Sequence, residues 1–236
     1  MLIRHKKVFN LGLLLAISFL GVLLLIFSPI FGGVNGLDFA DNLFNKLSKG
    51  SSYFIPNLMK SNEKVVGTQF SVAIKLDQPE QVEKSLKLLT VAGAQASATG
   101  TDLTISGDLG NLLGKVLKDS DAMFHNNGTE VAARYGFDAK EVMTQWWNIL
   151  TKMDKSFKRD RKIVEAKAVS EVMKKAVEVA YNFYGIEAQN VSEKALLMIA
   201  LLGFYVLYTM WWGYAIFYLF DGFGLSMTKA KVKKEV

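Results

Sequence analysis

The chain has 236 residues, no cysteine, a half-hydrophobic composition and a formal net charge of +6, with a mean hydropathy of +0.20 that is high for a soluble protein. The missing thiols exclude disulfides, thiolate metal sites, iron–sulfur clusters and covalently attached c-type haem. The length suits one or two domains, and the hydrophobic excess is concentrated in two uncharged stretches, residues 8–31 and 195–220.

Residues 1–7 carry Arg4, Lys6 and Lys7 and read as a basic cytoplasmic tail. The run at 8–31 is long enough to cross roughly 30 Å of hydrocarbon at about 1.5 Å per residue. It outlasts the apolar core of a signal peptide, about 7–15 residues, and it ends in FSPIFGGVNG without a small-x-small cleavage site. An uncleaved transmembrane helix is the expectation. Residues 195–220 form the second, followed by a tail at 221–236 with Lys229, Lys231, Lys233 and Lys234. Short basic flanks stay in the cytoplasm, so both termini are expected there and the long segment between the spans outside it. The two tails supply +5 of the formal +6. The basic pI of 9.3 therefore points to membrane topology and not to nucleic acid. A disulfide-free domain in that position suits a bacterial inner membrane or an archaeal cell membrane.

Residues 32–64 hold an amphipathic helix, with Leu37, Phe39, Leu43, Phe44 and Leu47 near one face, and a connector punctuated by Gly50, Ser51, Ser52 and Pro56. An α+β module is expected over 65–135. Phe70, Val72, Ile74 and Leu76 alternate with polar or small residues as a half-buried strand does. Asp77 and Glu80 form a capping signal around Pro79, ahead of a helix striped by Val82, Leu86 and Leu89 and closed by Gly93. Residues 94–98 and 103–106 read as strands joined by a turn at Thr99-Gly100-Thr101-Asp102. Asp108 caps a helix whose core side is Leu109, Leu112, Val116, Leu117 and Phe124. The order βαββα resembles part of a split βαβ, or ferredoxin-like, layout, which implies no particular function.

From 138 to 184 there is no Gly or Pro, and Val142, Trp146, Ile149, Met153, Phe157, Val164, Ala168, Val172 and Val179 recur at helical spacing. The expectation is a long stalk helix returning the chain to the bilayer, about 70 Å if continuous. Such a helix must pack along the module, fold back within its charged stretch, or associate with another chain. The fold class expected is an α+β membrane protein, two transmembrane helices flanking an extracytoplasmic βαββα module and a long stalk helix.

The sequence is poor in catalytic patterns. His5 lies in a tail and His125 in an Asn/Gly loop, and there is no G-x-S-x-G, H-E-x-x-H, P-loop or EF-hand pattern. Asp119 and Asp121, two apart on a helix, point to different faces, which weakens a shared metal site. An enzyme is not expected, and neither a cofactor nor a metal is assigned. The run KMDKSFKRDRK at 152–162 reads first as a solvated helix surface with internal pairing, and second as a site for an anionic polymer, lipid head group or acidic partner.

The second apolar stretch is unusual. At about 100° per residue, Phe204, Tyr205, Tyr208, Trp211, Trp212, Tyr214 and Tyr218 fall within half of the helix circumference. Phenol and indole donors at that depth favour a hydrogen-bonding partner over lipid tails. This face is expected to meet protein, either the first span, where Gly12, Ala16 and Gly21 offer small surfaces, or a neighbouring chain. The leading expectation is a non-enzymatic membrane protein, lipid-embedded, acting in assembly as a homo-oligomer or as an accessory or scaffold subunit of an envelope complex. The alternatives are an extracytoplasmic ligand-binding or sensory module, or an accessory subunit of a respiratory or transport complex holding a quinone or pigment.

Overall fold

Backbone packing divides the chain into two units, Met1–Phe44 with Asn190–Val236, and Asn45–Gln189. The computed structural model describes residues 3–225. The tail lysines Lys229, Lys231, Lys233 and Lys234 lie outside the described residues.

The first unit is built on two helices, α1 (Lys6–Phe27) and α10 (Val191–Gly222), both long and apolar enough to cross a membrane. Apolar side chains surround α1 on all sides, so it has no polar face to turn to water. It stops where Ser28 goes extended (φ −84°, ψ 151°), the conformation that the following Pro29 demands. The helix α2 (Gly36–Ser51) starts in this unit, where the Asn35 side chain accepts from the Asp38 N–H at 2.9 Å and so satisfies one of the first-turn donors. The unit boundary falls within α2. Leu43 and Leu47 of its expected stripe are buried, whereas Leu37 and Phe44 are exposed.

The second unit contains α3 (Ile55–Asn62), a 3₁₀ turn, β1 (Gln69–Lys75), α4 (Glu80–Val91), β2 (Gln95–Thr99), β3 (Asp102–Asp108), α5 (Leu109–Phe124), α6 (Gly128–Tyr135) and α7 (Ala139–Arg159). A second helical run follows, α8 (Ile163–Val172) passing through a π turn at Met173–Val177 into α9 (Glu178–Phe183). The sheet order is β1-β3-β2, with β3 antiparallel to both neighbours. This is the split βαβ arrangement that the element order suggested. The alternation of β1 puts Phe70, Val72 and Ile74 inside with Leu103 and Ile105 of β3, and leaves Gln69, Ser71, Ala73 and Lys75 on an open face. Asp108 caps α5 as expected, accepting from the Asn111 N–H at 2.8 Å. The cap expected at Asp77 does not form. Pro79 occupies that position without a side-chain cap, and Asp77 instead takes Lys152 Nζ at 2.7 Å.

The long stalk helix expected over 138–184 is corrected by the structure. The stretch breaks at Asp160–Lys162, with Arg161 in the left-handed region (φ 59°), and α8 packs back on α7. A left-handed residue costs about 1–2 kcal/mol. Against that, reversal buries Ala166, Val169, Val172, Met173, Ala176, Val177 and Ala180 in the same core as Val142, Trp146, Ile149 and Phe157. Each of the larger side chains gains roughly 1.5–3 kcal/mol by that burial, so folding back wins over an exposed stripe. Both helices therefore belong to the body that holds the sheet.

Candidate functional site: the aromatic face of α10 and the buried charges

Within the first unit, the centre of the aromatic face of α10 meets α1. Trp211 Nε1 donates to the Leu15 carbonyl at 3.2 Å, and Tyr208 Oη donates to the Phe19 carbonyl at 3.2 Å. The Tyr208 ring stacks on Phe19 with centroids 4.1 Å apart, and Trp212 tilts against the same ring at 4.6 Å. Small residues permit this approach. A Cβ on Gly12 would stand 2.7 Å from Leu219 N, and one on Gly222 would stand 2.6 Å from Phe9 Cβ. Ala16 and Ala215 are buried between the helices. A Cβ on Gly21 would meet nothing within 4 Å, so a small residue is not required there for the approach foreseen.

The flanks of the face remain open. Tyr205 is 63% and Tyr214 52% exposed, with Phe204 at 45%. Tyr214 stacks on Tyr218 at 6.4 Å, and Phe204 stacks on Tyr208 at 5.4 Å. Of the seven aromatics, Tyr208, Trp211 and Trp212 bind α1, Phe204 and Tyr218 stack on neighbours within α10, and Tyr205 and Tyr214 form an outer pair more than half exposed. Between α1, the start of α2 and α10 lies an apolar recess of about 880 Å3, reaching Leu23, Phe27, Phe39 and Tyr205.

Of the buried charges in the second unit, Asp119 and Lys49 escaped the sequence reading. The Asp119 side chain has no exposure and is held by Arg134. Its Oδ2 also accepts from Tyr135 Oη at 2.5 Å and Trp146 Nε1 at 3.0 Å. Burial pushes its carboxyl above the usual carboxylate range, while the hydrogen bonds of Tyr135 and Trp146 and the Arg134 guanidinium oppose that shift. Burial and the neighbouring Asp119 likewise push the Tyr135 phenol up. A signal existed, because Asp119 falls in register with the apolar stripe of Leu112, Val116 and Met123. With both oxygens occupied by donors, this group ties α5, α6 and α7 together.

Lys49 is 2% exposed and donates to Asn126 Oδ1 at 3.0 Å, the Phe183 carbonyl at 3.1 Å and the Ile186 carbonyl at 2.5 Å. Its ammonium also lies 5.0 Å from the Phe124 ring centroid. Desolvation lowers its pKa, with Glu187 acting in the opposite sense. Lys49 is off the apolar stripe of α2, so the sequence carries no hint of it. Together with the bond from Gln189 N to the Lys46 carbonyl, 3.1 Å, it fastens the segment that enters this unit to the one that leaves it.

His125 caps the end of α5, exposed, with Nδ1 2.9 Å from the Asp121 carbonyl. Asp121 accepts from Tyr53 Oη at 2.7 Å, away from Asp119. Among the described residues no group of three or more His, Asp or Glu is placed to hold a metal. A recess of about 240 Å3 is lined by Met143, Trp147, Val177, Glu178 and Tyr181, below the usual range of ligand pockets. No protein-family model, curated protein or solved structure matches the chain significantly.

Proposed function

We propose that the chain is a non-enzymatic integral membrane protein that works in assembly, as a homo-oligomer or as an accessory or scaffold subunit of a larger envelope complex. In this reading α1 and α10 cross the bilayer, both termini are cytoplasmic, and the α+β unit is extracytoplasmic. The observation that carries it is the pair of outer tyrosines on α10. Tyr205 and Tyr214 are more than half exposed, and among the described residues neither hydroxyl has a hydrogen-bond partner. A phenol facing hydrocarbon without an acceptor loses roughly 1–3 kcal/mol or more, which a neighbouring polypeptide can restore.

Native mass spectrometry in mild detergent tests this. The expected result is an oligomer or a complex with other chains, reduced by Tyr205→Phe with Tyr214→Phe, which removes only the hydroxyls, and unaffected by Val206→Ala with Met210→Ala. A ligand-free monomer would overturn it. The recess of about 880 Å3 favours a second reading, an accessory subunit holding a quinone or other hydrophobic cofactor, since ligand pockets span roughly 300–1,000 Å3. Its lining offers only tyrosine hydroxyls to orient a head group, and Tyr208 is already committed to Phe19. A bound small-molecule mass in the same spectrum would favour that reading.

A further inference from the structure

The outer edge of β1 is an unused strand edge beside a cluster of cations. The bonds Leu76 N to Thr101 O and Leu109 N to Thr68 O, both 2.9 Å, bracket the β1–β3 ladder at even-numbered positions of β1. Because bonded and non-bonded pairs alternate in an antiparallel ladder, the peptide groups of Phe70, Val72 and Ile74 face β3. Those of Gln69, Ser71, Ala73 and Lys75 face outward. Among the described residues no other segment hydrogen-bonds to that outward row. In the complete βαββαβ layout the closing strand would lie there. Here the chain proceeds from α5 into α6 and α7, and the position stays open.

Along that edge runs a groove of about 330 Å3, lined by Ala73 and Lys75 of β1 and by Lys152, Lys155 and Arg159 of α7. Two of the four cations have counter-charges, Lys152 with Asp77 at 2.7 Å and Arg159 with Asp160 at 3.2 Å. Among the described residues Lys75 and Lys155 have no ion pair, and Asp102, opposite Lys75 in the ladder, makes none with it. The groove is therefore cationic. The 152–162 run is not self-neutralised: its two acidic residues pair inside it, Asp154 with Lys158 and Asp160 with Arg159, against six basic ones.

We propose that this groove binds an extended acidic segment of a partner protein, which adds to β1 as a fourth strand and sets its carboxylates, on the face that α7 covers, against Lys155 and Arg159. Strand addition draws affinity from backbone pairing and specificity from alternate side chains. A polyanion without peptide groups would meet the cations but offer no donors to the outward carbonyls. A second copy of β1, Gln-Phe-Ser-Val-Ala-Ile-Lys, has no acidic residue to bring to the cations. The groove would act this way whichever partner the apolar helices meet.

The test uses the full chain in mild detergent and a fluorescent peptide of about seven residues with glutamate at alternate positions. Fluorescence anisotropy should report saturable binding whose Kd rises at least tenfold in Lys155→Glu with Arg159→Glu. N-methylation of the peptide distinguishes strand pairing from charge attraction without altering the protein. Methyl groups on alternate residues should abolish binding in one phase and spare it in the other. No binding, or equal binding of the two methylated isomers, would overturn the proposal. So would inorganic polyphosphate displacing the peptide at equal charge concentration, or a concentration-dependent dimer that Ala73→Pro disperses.

Discussion

Asp119 is the residue on which the packing of α5, α6 and α7 converges. Replacing it with alanine leaves the Arg134 guanidinium, the Tyr135 hydroxyl and the Trp146 indole N–H without their acceptor. Breaking a buried pair from one side costs roughly 3–5 kcal/mol, so Asp119→Ala should lower the urea midpoint of the full chain by a large fraction of its stability, read by tryptophan fluorescence. A change under about 1 kcal/mol would mean that water reaches the site. Tyr53 supplies a pH-dependent counterpart. Burial, then the hydrogen bond and charge of Asp121, raise its phenol from 10.0 to about 12. A raised folded pKa means that the contribution to stability is complete below the unfolded value and is lost as pH climbs through the folded one. Tyr53 should thus ionise late in a tyrosinate absorbance titration, identified by the difference from Tyr53→Phe. Asp121→Asn should bring it earlier, and stability should decline between pH 10 and 12 in wild type more than in Tyr53→Phe.

Among the elements, the α7–α8 turn has the clearest sequence dependence. Arg161 adopts φ 59°, where a β-branched residue is strained and glycine is not. Arg161→Gly should be neutral or stabilising by up to about 1 kcal/mol, and Arg161→Val destabilising by about 1–2 kcal/mol, measured by denaturant unfolding. Equal effects would indicate that the turn relaxes away from its left-handed geometry. The reversal was legible in part. The basic, polar stretch at 158–162 marked a place for the chain to turn, but absence of Gly and Pro gave a continuous helix equal local standing. Nothing local decides between one long helix and two packed ones, because both satisfy the same backbone hydrogen bonds. The choice lies with Ala166, Val169 and Ala176 joining the core of Val142 and Trp146, which lie 20 to 34 residues earlier in the sequence.

At the scale of the whole molecule, the natural absence of cysteine makes topology directly measurable, since one introduced thiol is the sole target of a maleimide. If both termini are cytoplasmic and the α+β unit is outside, Ser97→Cys on the open sheet face should react with a membrane-impermeant maleimide in intact cells. His5→Cys should react only after lysis. The reverse pattern would invert the topology. The sequence by itself determined the two apolar helices, the strand alternation of β1, the Asp108 cap and the βαββα order, because each rests on periodicity or composition within a few neighbouring residues. It also gathered the aromatics of α10 onto one side. Only the tertiary structure decided which of them bind α1, that Asp119 and Lys49 are buried with partners, and that Lys75 shares a groove with Lys155 and Arg159. Those outcomes depend on which distant surfaces meet, and burial, charge pairing and open strand edges are properties of that meeting, not of any local stretch of chain.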